Sequence, residues 1–309
     1  MLLSIRSVLV YASTLLSQSR LVHASSSSSN PDSQSILNTQ ASLPSPYVPL
    51  SGSVSCPIDG PMSCHNNTPI AGDSCCFVYP GGRMLLTQFW DAEEQAPGSD
   101  KDWTIHGLWP DLCDGTYDAY CRLTPSYPNI TAVLLSHNAT SLLSYMSRYW
   151  TAAWGSASHL WAHEYNKHGT CINTLSASCY SSYTPGVEVV DYFSRAASLH
   201  KTLDTYTALK KAGIAPKRDE RYPLAEVKRA LEEYSGGRVV LRCTGRGDVL
   251  HEAWYVFFVQ GSLQSGEFVP AAKLGREGGA GNCKPWVRYL PKRPRRGGAA
   301  QVGAEEEEL

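Results

Sequence analysis

Apolar positions along this chain repeat with two different periods, and Gly or Pro often marks where one gives way to the other. Residues 84–90, Met-Leu-Leu-Thr-Gln-Phe-Trp, and residues 239–243, Val-Val-Leu-Arg-Cys, predict strands. Residues 254–259 are apolar at every position, which suits a strand lying centrally in a sheet. Helical spacing is clearest over residues 131–150, 158–169, 187–209 and 224–234. Pro223 suits the start of the last of these, and Gly236-Gly237 suits its end. Strands and helices do not alternate regularly, so the pattern predicts an α+β domain: a central antiparallel sheet packed against several helices.

The two ends of the chain break this pattern. Residues 1–24 carry Arg6, an apolar run over 8–16 and small residues at Val22 and Ala24, the layout of a secretory signal peptide. That run is too short to span a bilayer, and no membrane association is expected. Residues 25–54 are rich in Ser, Pro, Asn and Gln and read as a disordered linker or pro-region. The folded unit is expected over 55–290. Beyond it, a basic block at 292–296 followed by Glu305–Glu308 reads as a charged, disordered tail over 291–309.

Composition narrows the partners. Of 309 residues, 42% are hydrophobic and 18% charged, and the formal charge is −1. A chain this close to neutral must grip any nucleic acid locally, which counts against a chromatin-type binder. Ten cysteines follow the signal peptide, an even number that implies five disulfides made in an oxidising compartment. No C-x-x-C pair suggests zinc instead. Asn66, Asn129 and Asn138 head glycosylation sequons, although Pro69 weakens the first.

Two segments hold the chemistry: Trp103-Thr-Ile-His-Gly-Leu-Trp-Pro110 and His163-Glu-Tyr-Asn-Lys-His-Gly-Thr-Cys171. On a helix, with His163 at zero, Glu164 lies at about 100°, Lys167 at about 40° and His168 at about 140°. One ligand could therefore touch all four. A zincin helix places its two histidines four apart; here they are five apart and splayed, so no metal site is expected. His106 follows a short apolar run and precedes Gly107, a position expected where a strand gives way to a loop.

These two segments closely resemble the signature motifs of the ribonuclease T2 family, secreted endoribonucleases that usually work at acid pH. The resemblance implies His106 as general acid toward the leaving 5′-oxygen and His168 as general base on the 2′-hydroxyl. It implies His163 as a phosphate holder, with Glu164 and Lys167 stabilising the crowded phosphorus. Trp109, Asp111 and Tyr117 fall where the family builds a base pocket, and Gln88 where it touches the other base. The fungal branch further implies the pairs Cys56–Cys76, Cys64–Cys113, Cys75–Cys179, Cys121–Cys171 and Cys243–Cys283. The implied activity is metal- and cofactor-independent cleavage of single-stranded RNA through 2′,3′-cyclic phosphates, with low base specificity and no action on DNA. A secreted or vacuolar monomer is expected. A silent relative kept for storage or signalling would be expected to lose one of the three histidines, and all are present.

Overall fold

The computed structural model describes residues 52–57, 59–65, 74–92, 99–152, 155–272 and 281–293. All lie in one compact unit. The signal peptide, most of the linker, most of the tail and Asn66 fall outside the described residues. In chain order the strands and helices are β1 (Arg83–Phe89), β2 (Thr104–Asp111), α1 (Ile130–Ser136), α2 (Thr140–Tyr149), α3 (Ala157–Lys167), α4 (Val187–Lys201), α5 (Thr205–Lys211), β3 (Tyr222–Pro223), α6 (Leu224–Ser235), β4 (Val239–Thr244), β5 (Val249–Gln260), β6 (Glu267–Pro270) and β7 (Trp286–Val287). No described helix is long and apolar enough to cross a membrane.

The main sheet runs β2-β1-β5-β4 and is antiparallel throughout. The twelve residues of β5 make it the organiser: β1 pairs along one edge, while β4 and then β6 share the other. β3 and β7 form a separate two-stranded ribbon. One face of the sheet packs against helices through Leu86, Ile105, Leu108, Trp150, Tyr165, Tyr192 and Phe193, all buried. A small cluster of Leu85, Val256 and Ala271, flanked by Trp109, Trp254 and Phe258, occupies the other face.

Three expectations change. β2 is longer than the short run expected to end at His106: it continues to Asp111 although Gly107 and Pro110 interrupt the pattern. It is an edge strand, where a proline costs no ladder bond. Its free edge is covered from the helices: the carbonyls of Trp103, His106 and Leu108 accept hydrogen bonds from His200, Trp150 and Tyr192. The helix expected over 131–150 is two helices, broken where Asn138 adopts φ +54°. The helix expected over 187–209 also divides, because the Asp204 carboxylate caps a new start by accepting from the N–H of Thr207 at 2.9 Å.

The disulfides are Cys56–Cys76, Cys64–Cys113, Cys75–Cys179, Cys121–Cys171 and Cys243–Cys283, the pairs implied by the family resemblance. A bridge of this kind typically stabilises by about 2–4 kcal/mol. Two of them bracket the segment after β2. Cys113 ties its start to Cys64, and Cys121 ties its middle to Cys171 just beyond α3. The N–H groups of Tyr120 and Leu123 complete the join by donating to the carbonyls of Lys167 and Thr170. Asn129 and Asn138 are both exposed.

Candidate active site

Side chains alternate along a strand, so one face of the sheet can be read off the register. On β1 the alternating set is Leu85, Thr87 and Phe89. On β5 it is Glu252, Trp254 and Val256, which lie opposite these in the ladder. β2 joins the same face through an irregularity. Thr87 pairs with Gly107 and Gln88 with Ile105, leaving His106 as an extra, bulged residue. The bulge resets the alternation. Ile105 and Leu108 therefore both enter the main core, while His106 and Trp109, three residues apart, come together with rings 4.8 Å apart. His106 thus sits inside β2 rather than at its end, and the bulge is what aims it.

Gly107 has a specific task here. A Cβ on it would fall onto Glu164 Oε2 and Trp109 Nε1. Without one, α3 can press its carboxylate against the strand, and Trp109 Nε1 donates to Glu164 Oε2 at 2.7 Å. Thr87 closes the bulge, its hydroxyl accepting from the Gly107 N–H at 2.9 Å and donating to the Gly107 carbonyl at 3.1 Å.

α3 supplies the other wall. Ser156 caps its start by accepting from the N–H of His159. The helix ends at Lys167, so His168 is its C-cap and its N–H still bonds back to the Glu164 carbonyl at 3.0 Å. The His168 ring stacks on Trp109, with centroids 5.1 Å apart and planes 21° apart. β2 and the end of α3 therefore bring His106 and His168 to one indole, and His106 Nε2 lies 3.6 Å from Glu164 Oε1. His163 is exposed and Lys167 half-buried beside them.

Burial sets the charges. It pushes His168 down to about 3, helped by the positive field of Lys167, His106 and His163. His163 is also lowered, by burial first and then by Lys167, His106 and His159. Glu164 is almost fully buried, which raises its carboxyl above the usual range against the pull of His106, Trp109 and Lys167. Among the described residues, Nδ1 of His106 and Nδ1 of His168 are buried and accept or donate no hydrogen bond.

The residues expected at a base pocket lie in different surroundings. Trp109 is central, as described. Tyr117 is 60% exposed at the rim, with the Lys167 ammonium 5.8 Å from its ring. Asp111 is buried opposite Arg83 in the ladder; burial raises its carboxyl to about 7 although Arg83 pulls the other way. Gln88 does not belong to this site. Alternation turns it to the core face, where its amide donates to the Leu203 carbonyl at 3.1 Å and accepts from the Thr205 hydroxyl. It is fully buried there and cannot meet a base. No group of three His, Cys, Asp or Glu among the described residues is arranged to hold a metal ion.

The ribonuclease T2 family model matches residues 81–269. This chain belongs to the ribonuclease T2 family. Ribonuclease T2 of Aspergillus oryzae is 45% identical over 241 residues, which cover 77% of this chain and 84% of that one. Ribonuclease Trv of Hypocrea rufa is also 45% identical, covering 78% of this chain and all of its own. The crystal structure of Actibind, a T2 ribonuclease, matches with a TM-score of 0.72 at 42% identity over 78% of this chain and 100% of that one. The chain is accordingly an enzyme of the ribonuclease T2 type.

Sequence reasoning about this ribonuclease missed Phe89, Glu252 and Trp254. Phe89 stacks on His106 with centroids 4.0 Å apart. Glu252 Oε2 lies 3.7 Å from His106 Nδ1, and Trp254 stands edge-on to Trp109 at 5.2 Å. A usable signal existed: Glu252 is the one acid within β5, in step with Trp254 and Val256.

Proposed function

We propose that this ribonuclease cleaves single-stranded RNA by internal transphosphorylation, using His168 as base and His106 as acid. The observation that carries the reading is the meeting of both rings at Trp109, with Glu164 held between the strand and the helix. His168 takes the proton of a 2′-hydroxyl, and the 2′-oxygen attacks phosphorus. The 5′-oxygen leaves with a proton from His106. The products are a 2′,3′-cyclic phosphate and a 5′-hydroxyl; water then opens the ring to a 3′-phosphate. Each such proton transfer contributes roughly 10²–10⁴ in rate.

Lys167 and His163 offset charge on the non-bridging oxygens, the electrostatic task that is usually the largest contribution. Because burial holds His168 down to about 3, its ring stays neutral and able to accept a proton in mildly acid solution. That supports an acid working range. Trp109 and Tyr117 offer aromatic faces that stack any base, which favours broad specificity. The buried Asp111 carboxyl, raised to about 7, would meet a base edge as a protonated donor at acid pH. DNA lacks the attacking hydroxyl and resists.

The same reading makes residues 1–24 a signal peptide, 25–54 a linker, 55–290 the catalytic domain and 291–309 a tail. It makes Asn129 and Asn138, both exposed, glycan carriers on a secreted monomer. Incubating the protein with RNA and with DNA in EDTA tests the activity. RNA should be cut and DNA left intact; loss of RNA cleavage in EDTA, or cleavage of DNA, would overturn the reading.

A further inference from the structure

The imidazole of His106 lies between two carboxylates, only one of which the proposed chemistry uses. Nε2 faces Glu164 of α3 across 3.6 Å, and the charge on this ring also acts on His163 and His168. Nδ1 faces Glu252 across 3.7 Å and is sealed from solvent. Phe89 stacks on one surface of the ring, and Trp109 meets it edge-on. Among the described residues, a proton on Nδ1 can therefore point at Oε2 of Glu252.

Glu252 is held for this purpose. Its place in β5 is opposite Phe89 on β1 and Arg242 on β4. Trp254 Nε1 donates to its Oε2, and the Arg242 guanidinium lies 5.1 Å from the Trp254 ring. Its other oxygen lies 3.8 Å from His251 Nε2. We propose that Glu252 is a positioning residue for His106: its carboxylate keeps the Nδ1 proton in place, turns Nε2 toward the phosphodiester, and stabilises the charged ring until the proton is given up. The two carboxylates then have different characters, as environment can impose on neighbouring acids. Burial drives Glu164 up. Burial also acts on Glu252, but contacts from His106, Trp254 and His251 outweigh it and hold that carboxyl below its usual range. Glu252 is thus the reliably charged one. A separation of 3.7 Å is longer than a hydrogen bond, and catalytic contacts of this kind commonly tighten once substrate is bound.

The inference rests on His106 being the general acid, and its test has a part that does not. A general acid must be protonated, so activity falls as pH rises past the basic limb of the profile. Removing the negative charge next to the ring should move that limb to lower pH by about one unit or more, as expected for loss of an opposite charge within 4–6 Å. Glu252→Gln should therefore lose about tenfold or more in kcat/KM near neutrality and much less at acid pH, while Glu252→Asp keeps most of the wild-type limb. Equal loss at every pH with an unmoved limb would make Glu252 merely structural and overturn the proposal. Nitrogen-15 NMR of the wild type supplies the independent readout, needing neither turnover nor a variant. Neutral His106 should carry its proton on Nδ1; a proton on Nε2 instead would overturn the proposal even if RNA is cleaved normally. A wild type with the Nδ1 proton but no RNA cleavage would uphold the contact and count against the reading of function.

Discussion

His168 and His200 are buried to nearly the same degree, 4% and 8% exposed, and burial lowers both, to about 3 and about 4. Yet they are different objects. His200 has both nitrogens occupied: Nε2 donates to the Trp103 carbonyl at 2.9 Å, so Nδ1 is left to accept from the Tyr145 hydroxyl at 2.8 Å. It pins α4 to the free edge of β2 and has nothing left over. His168 keeps an unpartnered, buried Nδ1 and stacks on the indole that also meets His106. A cavity of about 810 Å³ is lined by His200, Tyr145 and Tyr149, and none of the candidate catalytic residues lines it. Burial, a lowered pKa and a neighbouring cavity therefore do not mark the chemistry. Unspent hydrogen-bonding capacity converging on one place does.

The comparison breaks most visibly by mutation. His168→Phe and His106→Phe should each lower RNA cleavage by at least 10²–10⁴-fold while staying folded at neutral pH, since each loses one proton transfer. Near-normal turnover in either variant would remove the assigned roles. Gly107→Ala comes next. Its methyl would displace Glu164 and Trp109, costing about 1–3 kcal/mol in a melting experiment as an overpacked site does, with kcat falling alongside. Trp109→Ala should weaken substrate by about 1–3 kcal/mol, read as a raised KM and an altered base preference, with some loss of kcat because Glu164 loses its donor.

His200→Phe sharpens the contrast from the other side. It leaves the Tyr145 hydroxyl and the Trp103 carbonyl unpaired, so stability should fall by about 1–3 kcal/mol while kcat of the folded enzyme is unchanged. A further effect, small per pH unit but cumulative, is on acid stability. Both rings bind a proton more weakly folded than unfolded, so protonation favours unfolding. Stability should decline as pH falls from about 6.5 toward about 4 for His200 and about 3 for His168, by roughly 1.4 kcal/mol per pH unit for each. Melting curves of His200→Phe across that range should show a shallower decline than the wild type.

Much of the site was legible in the sequence because it is local. His163, Glu164, Lys167 and His168 share one helical stretch, and the 3.6-residue period already places them on one side. What stayed hidden depends on register between distant strands. The pairing of His106 with Trp109 needs a bulge that no two-residue period predicts, in a strand disguised by Gly107 and Pro110. Gln88 and Phe89 are neighbours in sequence, but alternation sends one to the core and the other under His106. Glu252 reaches the site from 146 residues further along the chain, through the β1–β5 ladder alone. The helix breaks at Asn138 and Asp204 were readable in principle, since Asn and Asp tolerate the left-handed region or cap new helices. Apolar spacing across both breaks concealed them.

The most direct measurement follows the products of a dinucleoside phosphate in EDTA by phosphorus-31 NMR, for the wild type and for His106→Phe and His168→Phe. Transphosphorylation between two imidazoles predicts a 2′,3′-cyclic phosphate forming first, a slower 3′-phosphate, and neither species in the two variants. A 5′-phosphate product, or a cyclic phosphate still formed at wild-type rate after either ring is removed, would contradict it.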